Sequence, residues 1–240
     1  MRSRNLIIST LAPLLVFGVN IFPAILIKGG VSSALIISSI SRVSAKNFED
    51  YFQLAESAFN SKNFADTIYF ANKTLELRPD FYLAYSLIGV SKHEQGDFSG
   101  AVEAYQKALE IKPDLFGGYA LIGKAKEGMD DYKGALLSYD KAIKIDPKNF
   151  SFYADRGRVN MNLGRIDQAE SDYTKAIELF PKKDQVSEQL NSLYVLRGYH
   201  SYIKGNYEVV CSDLRYLESV GSPKGTSYLR KSLKASRFKC

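Results

Sequence analysis

Two residue types recur along this chain at one fixed interval of 34 positions. The prolines are Pro79, Pro113, Pro147 and Pro181, and the tyrosines are Tyr51, Tyr85, Tyr119 and Tyr153. A fixed period of this length is the signature of a protein built from similar units that stack on one another. The period divides the chain into units 48–81, 82–115, 116–149 and 150–183. A unit this short cannot bury its own apolar side, so each unit depends on its neighbours.

The unit 82–115 predicts what one repeat folds into. Its first half contains Tyr85, Ile88, Gly89 and Lys92, and its second half contains Ala101, Tyr105, Ala108 and Leu109, spaced as the faces of two helices. Between these halves, Gly96 can adopt the left-handed conformation that closes a first helix. Pro113 cannot continue the second helix and marks its end. Each repeat is therefore predicted to be a helical hairpin with one apolar side.

Small residues recur where the two helices of a hairpin would approach each other. They are Gly89, Gly123 and Gly157 in the first helices and Ala101, Ala135 and Ala169 in the second helices. A glycine inside a helix costs about 1 kcal/mol relative to alanine, so its recurrence at one register needs a physical reason. Close approach of the two helices provides that reason, and the flanking tyrosine and leucine side chains would fill the surrounding space.

These positions resemble the pattern of the tetratricopeptide repeat (TPR) family. The resemblance rests on Tyr85, Ile88, Gly89, Ala101, Tyr105, Ala108 and Pro113, and again on Tyr119, Ile122, Gly123, Ala135, Tyr139, Ala142 and Pro147. Lys62 and Asp130 replace the turn glycine, and Arg156 stands where the family has leucine. The resemblance implies an all-α fold, a right-handed superhelix (solenoid) of helical hairpins. It also implies a protein-binding scaffold, with neither an enzymatic activity nor a cofactor.

Beyond Pro181 the repeat pattern continues, but seven residues late. Seven residues are two helical turns, so the faces stay aligned, and Val186, Leu190, Leu193 and Tyr194 continue one apolar stripe. We predict a fifth repeat with an extended first helix over residues 184–223, followed by a basic C-terminal cap helix over residues 224–240. The cap helix covers the open end of the stack, or its basic side chains contact an anionic surface of lipid or nucleic acid.

The first 45 residues differ from the rest because they contain no Asp or Glu. The stretch Leu6 to Ile27 is free of charge over 22 residues, long enough for a helix that crosses a bilayer. We favour a retained single-pass anchor with the repeats outside the cytoplasm. The small residues of Val43-Ser44-Ala45 leave open a secretory signal peptide, with release of the protein after cleavage near Ala45. A third interpretation is an apolar extension that packs on the repeats.

The basic character of the chain comes from its two ends. Residues 46–181 contain 17 Lys and Arg against 21 Asp and Glu, a net charge of −4. Residues 182–240 contain 11 Lys and Arg against 5 Asp and Glu, a net charge of +6. Proteins that read nucleic acid usually line the binding face itself with basic side chains, and the four clear repeats do not. The charge distribution therefore argues against a nucleic-acid partner and favours a protein or peptide partner.

In the TPR family the first helices of successive hairpins line a concave groove, and the same register can be followed here. The predicted partner-binding residues are Phe52, Glu56, Phe59, Ser86, Val90, His93, Lys124, Glu127, Arg158, Met161, Tyr199 and Tyr202. Apolar and aromatic residues on an open surface commonly mark interaction sites, so this set favours a groove for an extended peptide or a short helix. Lys124 and Arg158 stand mid-groove, where they could receive a ligand carboxylate. The alternative is that Phe52, Phe59 and Tyr202 are packed by neighbouring hairpins or by the N-terminal segment.

Chemically reactive groups are few in this sequence. His93 and His200 are its two histidines, lie in different repeats, and are expected at the surface or in the groove, so no metal site is predicted. Cys211 and Cys240 could pair if the protein is exported, but we expect one buried thiol and one free terminal thiol. An alternative function is a structural membrane component whose repeats associate with each other. The sequence leaves the oligomeric state open.

Overall fold

The structure is a computed structural model that describes residues 47–181, 187–236 and 238–240. Within these ranges the chain forms eleven helices and no strand. The helices are α1 (Phe48–Asn60), α2 (Phe64–Leu77), α3 (Tyr82–Glu94), α4 (Phe98–Ile111), α5 (Gly118–Gly128), α6 (Tyr132–Ile145), α7 (Phe150–Asn162), α8 (Ile166–Leu179), α9 (Glu188–Ile203), α10 (Tyr207–Ser219) and α11 (Pro223–Ser236).

The helices pack in the order in which they follow one another along the chain. The closest pairs are α1 with α2, α3 with α4, α5 with α6, α7 with α8 and α9 with α10, and each pair packs against the next. This arrangement confirms the predicted all-α solenoid of helical hairpins. The predicted N-terminal hydrophobic helix and Val186 lie outside the described residues, as does Arg237.

The interior of each central hairpin is built around a tyrosine of the second helix. The side chains of Tyr105, Tyr139 and Tyr173 are at most 1% exposed. A Cβ atom added to Gly89 would lie 2.5 Å from the ring of Tyr105, and one added to Gly123 would lie 2.8 Å from the ring of Tyr139. The expected close approach is therefore present, and the group that requires the glycine is the tyrosine ring.

The turns inside the hairpins use a left-handed residue whether or not it is glycine. The φ angle is +81° at Gly96 and +69° at Gly164. Lys62 and Asp130, which replace glycine at this position, have φ angles of 57° and 58°. The left-handed turn therefore belongs to the position in the repeat and not to the residue type. Asp130 also accepts a hydrogen bond of 2.8 Å from the hydroxyl of Tyr132.

Arg156, which stands where the family has leucine, pairs with a buried acid in the second helix of its own hairpin. Its Nε and Nη2 atoms donate to the Asp172 carboxylate at distances of 2.6–3.2 Å. Asn160 donates a further hydrogen bond of 2.9 Å to the same carboxylate. Arg197 and Asp213 form the corresponding pair in the last hairpin, with the same separation of 16 residues. The last two hairpins therefore replace an apolar contact with a buried ion pair.

Cys211 and Cys240 form a disulfide bond, with their Cα atoms 5.5 Å apart. The expectation of two free thiols is therefore wrong. The reason lies in α11, which packs back on α10 through the buried side chains of Leu229 and Leu233. This packing brings the end of the chain to Cys211 in α10.

We expect removal of the Arg156 guanidinium alone to destabilise the protein. The variant Arg156→Ile leaves the buried Asp172 carboxylate without its cation and should lower the free energy of unfolding by about 3 to 5 kcal/mol. The double variant Arg156→Ile/Asp172→Ser recreates the Ile122 and Ser138 of the preceding repeat and should recover most of this loss. Denaturant unfolding followed by circular dichroism measures both values.

A matched control is available on the same guanidinium. Asp140 also accepts a hydrogen bond from Arg156, but its side chain is 54% exposed. Asp140→Asn should therefore change the free energy of unfolding by less than about 1 kcal/mol. An Arg156→Ile variant as stable as the unsubstituted protein would show that the pair with Asp172 does not hold the hairpin together.

Candidate functional site

Four of the predicted groove residues meet around one cavity of about 500 Å³. They are His93 of α3, Lys124 and Glu127 of α5, and Arg158 of α7. The remaining lining residues are Phe98, Gly128, Tyr132, Asp155 and Asn162. The first helices of three successive hairpins therefore contribute side chains to a single cavity.

The charged side chains of this cavity are paired with one another. Arg158 donates hydrogen bonds to Glu127 and, at 3.0 Å, to Asp155. The ammonium nitrogen of Lys124 lies 3.5 Å from the Asp155 carboxylate. The two cations are therefore not free to receive a ligand carboxylate without competition. They already hold acidic partners from the neighbouring repeat or from their own helix.

The cations of this cavity are more exposed than the acids. The side chains of Lys124 and Arg158 are each 48% exposed, whereas those of Glu127 and Asp155 are 8% and 18% exposed. The acids thus lie beneath the cations, and an approaching ligand meets an ammonium and a guanidinium first. Burial raises the pKa of the Glu127 carboxyl, against the opposing effects of the Tyr139 hydroxyl and of Arg158.

A second cavity of about 560 Å³ adjoins the first, since Lys124 and Asp155 line both. Its other walls come from α7 and α9. They are Phe150, Ser151, Ala154, Glu188, Gln189, Ser192 and Leu193. We call the surface that lines these two cavities the central groove. It extends from α3 to α9 along the face shared by the first helices of the hairpins.

The other predicted groove residues are mostly engaged in packing. Phe52 meets Phe81 edge-on at 4.9 Å, and Phe59 lies 6.0 Å from Phe64. Val90 and Met161 pack against the buried clusters of their hairpins. The rings of Tyr199 and Tyr202 contact those of Tyr228 and Tyr207. The Ser86 hydroxyl donates a hydrogen bond to the Tyr82 carbonyl, and Glu56 is exposed. The central groove therefore has a more polar lining than the sequence suggested.

Asp155 is the important residue of the central groove that the sequence analysis missed. It pairs with both Lys124 and Arg158 and lies three residues before Arg158, one turn away on the same helix. An acidic residue at this spacing from an arginine is a recognisable signal for a helical ion pair. The contact of Asp155 with Lys124 joins two repeats, and no pattern of neighbouring residues in the sequence predicts it.

The expectation for His200 is wrong, because its side chain is buried at 1% exposure. The imidazole stacks on the Tyr173 ring at a centroid distance of 5.2 Å, and its Nδ1 donates to the carbonyl of Leu196. In the described part of the chain its Nε2 has no hydrogen-bond partner. Burial lowers the pKa of His200, opposed by the Leu196 carbonyl and by Glu170. His93, in contrast, is partly exposed and meets Phe98 edge-on at 5.2 Å.

Two further properties concern residues 47–181, 187–236 and 238–240. Their His, Cys, Asp and Glu side chains form no group of three or more that could hold a metal ion. Their helices are all too short or too polar to cross a bilayer.

Comparison with known families identifies the repeats. One family model, described as TPR repeat, matches residues 91–130 and 129–164, and a second, described as Tetratricopeptide repeat, matches residues 150–183. Residues 91–183 therefore consist of tetratricopeptide repeats. A search of curated protein sequences finds no match.

Solved TPR-like structures share the fold at low sequence identity. MamA residues 41 to the end from Desulfovibrio magneticus RS-1 is 14% identical, with a TM-score of 0.63, and the match covers 75% of this chain and 96% of that one. YrrB, described as a TPR protein with an unusual peptide-binding site, is 17% identical, with a TM-score of 0.61 and coverage of 84% and 97%. A tetratricopeptide repeat protein from Parabacteroides merdae is 15% identical, with a TM-score of 0.64 and coverage of 78% and 73%.

The TPR fold is typical of scaffolds that act in protein–protein interactions, and TPR proteins generally lack enzymatic activity. Structural likeness at this identity establishes the fold alone, so any function of this chain has to be argued from its own side chains.

The buried His200 predicts a pH dependence of stability. An unfolded histidine titrates near pH 6.5. Because the pKa of His200 is lowered in the folded protein, the unfolded chain binds the proton first as the pH falls below that value. The free energy of unfolding should therefore decrease as the pH is lowered from 7.5 to 5. Above the unfolded pKa, His200 should no longer contribute to the pH dependence of the free energy of unfolding.

The two histidines provide a matched pair of variants for this measurement. His200→Gln should remove this part of the pH dependence, whereas His93→Gln at the partly exposed position should keep it. Denaturant unfolding at several pH values gives the comparison. Equal slopes against pH for the His200→Gln variant and the unsubstituted protein would contradict the assignment.

Proposed function

We propose that this protein is a membrane-associated scaffold that holds an acidic extended peptide or short helix of a partner protein in the central groove. The observation that supports the proposal most directly is the position of the Lys124 and Arg158 cations. Both are about half exposed above the largely buried Glu127 and Asp155 carboxylates. Charged groups fixed by buried partners present a defined pattern of donors to a ligand.

The chemistry of the central groove favours a ligand with carboxylate groups. An arginine held by two acids still has donors directed elsewhere, because a guanidinium has five N–H groups. The Lys124 ammonium has three donors and a single acidic neighbour within ion-pair distance among the described residues. Ala154 and Leu193 provide apolar contact area in the adjoining cavity. A peptide that alternates acidic and small apolar side chains would satisfy both parts of the surface.

Export of the repeat domain is the second part of the proposal. The disulfide between Cys211 and Cys240 favours an oxidising compartment, because disulfides are rare in the reducing cytosol. The charge-free stretch of residues 6–27 is long enough to serve as the anchor. We therefore propose a single-pass protein whose repeats stand outside the cytoplasm, with secretion after cleavage near Ala45 as the alternative.

A second candidate function, self-association of the repeats, is favoured by exposed apolar residues at the ends of the second helices. Leu77, Ile111 and Ile145 are separated by the repeat period and are 55%, 39% and 45% exposed. A recurrent exposed apolar row is a suitable contact surface between copies. Sedimentation of the detergent-solubilised chain over a range of concentrations distinguishes a monomeric scaffold from an assembly.

The groove proposal predicts a preference for acidic peptides that depends on Lys124 and Arg158. The quadruple variant Lys124→Gln/Glu127→Gln/Asp155→Asn/Arg158→Gln removes both cations together with the two acids that hold them, so no carboxylate of the cluster is left unpaired. Affinity for acidic peptides should fall by at least about 10-fold, because the loss of even one hydrogen bond to a charged group costs about 1.5 to 3 kcal/mol. Fluorescence anisotropy with the full chain and a set of acidic, amide and basic peptides measures this loss.

The control variant is Lys133→Gln/Arg165→Gln, which removes two exposed cations that do not line the central groove. It should bind acidic peptides as the unsubstituted protein does. Equal affinity of the unsubstituted protein for acidic and amide peptides would refute the proposed ligand. Unchanged affinity of the quadruple variant would refute the proposed site.

The proposal for export predicts both the mass and the protease sensitivity of the cellular protein. The full chain beginning at Met1 should be recovered from the membrane fraction, and protease added to sealed vesicles with the cytoplasmic face inside should degrade residues 46–240. A mass beginning at Lys46 in the soluble exported fraction would favour secretion instead. Degradation that requires opening of these vesicles would place the repeats in the cytoplasm and contradict the proposal.

A further inference from the structure

The C-terminal residues concentrate positive charge without acidic compensation. Residues 223–240 contain six Lys and Arg and no Asp or Glu. Arg230 donates to Glu218 of α10 at 2.7 Å. Among the residues that the structure describes, no acid lies within ion-pair distance of Lys231, Lys234 or Lys239. This element therefore presents unpaired cations on a protein whose repeats are net acidic.

Two of these unpaired cations, Lys234 and Lys239, line an apolar cavity of about 500 Å³ together with the paired Arg230. Its carbon-rich walls are Leu214 of α10, Leu233 of α11 and Phe238 of the tail, and its basic residues are Arg230, Lys234 and Lys239. Among the residues that the structure describes, no Asp or Glu side chain lines it. The Phe238 ring is 41% exposed and stacks on Tyr207 at 4.6 Å. We call this the tail pocket.

We propose that the tail pocket binds an anionic phospholipid at a bilayer surface. Its basic side chains suit a lipid phosphate, and Leu214, Leu233 and Phe238 suit the first carbons of the acyl chains. A basic surface with an exposed aromatic side chain is the combination that attracts proteins to anionic membranes. The tail pocket shares no residue with the central groove, so this site is independent of the proposed peptide ligand.

The shape of the surface favours lipid over nucleic acid. A strand of nucleic acid requires a basic track with several aromatic rings on which successive bases stack. Here three cations border one apolar recess, which fits a ligand with one anionic head and an apolar body. The −4 net charge of residues 46–181 would also repel a nucleic acid that extended over the repeats.

The disulfide completes the tail pocket. Cys240 lines it, and the bond to Cys211 holds Phe238 and Lys239 against α10. The variant Cys240→Ser keeps every Lys and Arg but releases this wall. Binding that depends on the pocket should therefore require the oxidised protein, whereas diffuse attraction of a basic segment to an anionic surface should not.

The test measures amine acylation of individual lysines in the full chain, reconstituted in phosphatidylcholine vesicles with either no phosphatidylglycerol or a substantial fraction of it. Mass spectrometry gives the modification rates of Lys234 and Lys239 relative to the exposed Lys133 and Lys148 in the same molecule. Phosphatidylglycerol should slow modification of Lys234 and Lys239 at least about fivefold relative to these internal references. Both vesicle types contain the N-terminal segment, so its insertion does not affect the comparison.

Three results would overturn the proposal. Equal rates in the two lipid compositions would exclude an anionic lipid ligand. Full protection in the Cys240→Ser variant would show that the pocket is not needed. Equal protection by polyglutamate added to pure phosphatidylcholine vesicles would assign the surface to acidic proteins instead. Loss of protection in the Cys240→Ser variant, with circular dichroism unchanged, would support the pocket.

Discussion

The contact between a glycine of the first helix and a tyrosine ring of the second sets the geometry of the three central hairpins. The space that each ring occupies begins where a side chain on Gly89, Gly123 or Gly157 would stand. A larger residue would force the helices apart, and the next hairpin would lose the surface on which it packs. The same contact extends to the candidate site, because the Tyr139 hydroxyl donates to Glu127 at 2.6 Å. The core tyrosine therefore helps to position an acid of the central groove.

The last hairpin uses the glycine position differently, and the C-terminal end of the protein follows from that difference. A Cβ atom added to Gly198 would lie 2.8 Å from Leu229 of α11. Leu214 stands at the tyrosine position, so the vacated space admits a side chain of the cap helix. Packing of α11 in turn brings Cys240 to Cys211 and forms the wall of the tail pocket. The replacement of the core tyrosine by Leu214 in the last hairpin thus leads to the tail pocket, which we propose as the lipid site.

The sequence predicts the structural features that recur in every repeat. It does not predict contacts that individual side chains make in one repeat only. The hairpins, their turns and the glycine register all follow from the interval of 34 residues. The pairing of Arg158 with Glu127 joins neighbouring repeats across 31 positions, and it depends on side-chain rotamers that no periodicity determines. His200 occupies a first-helix position but turns into the interface with Tyr173. The disulfide depends on how α11 folds back, which the repeat pattern does not describe.

The paired charges of the central groove decide what kind of ligand it can hold. A free cation would attract any anion, whereas Arg158 is already held by Glu127 and Asp155. A ligand carboxylate must therefore share the guanidinium with these acids, and it gains less from charge alone than it would at an open site. In return, Arg158 loses little freedom on binding because its position is fixed beforehand. Selectivity then comes from the match between ligand acceptors and the remaining donors, and the small apolar side chains of the adjoining cavity provide the rest of the contact.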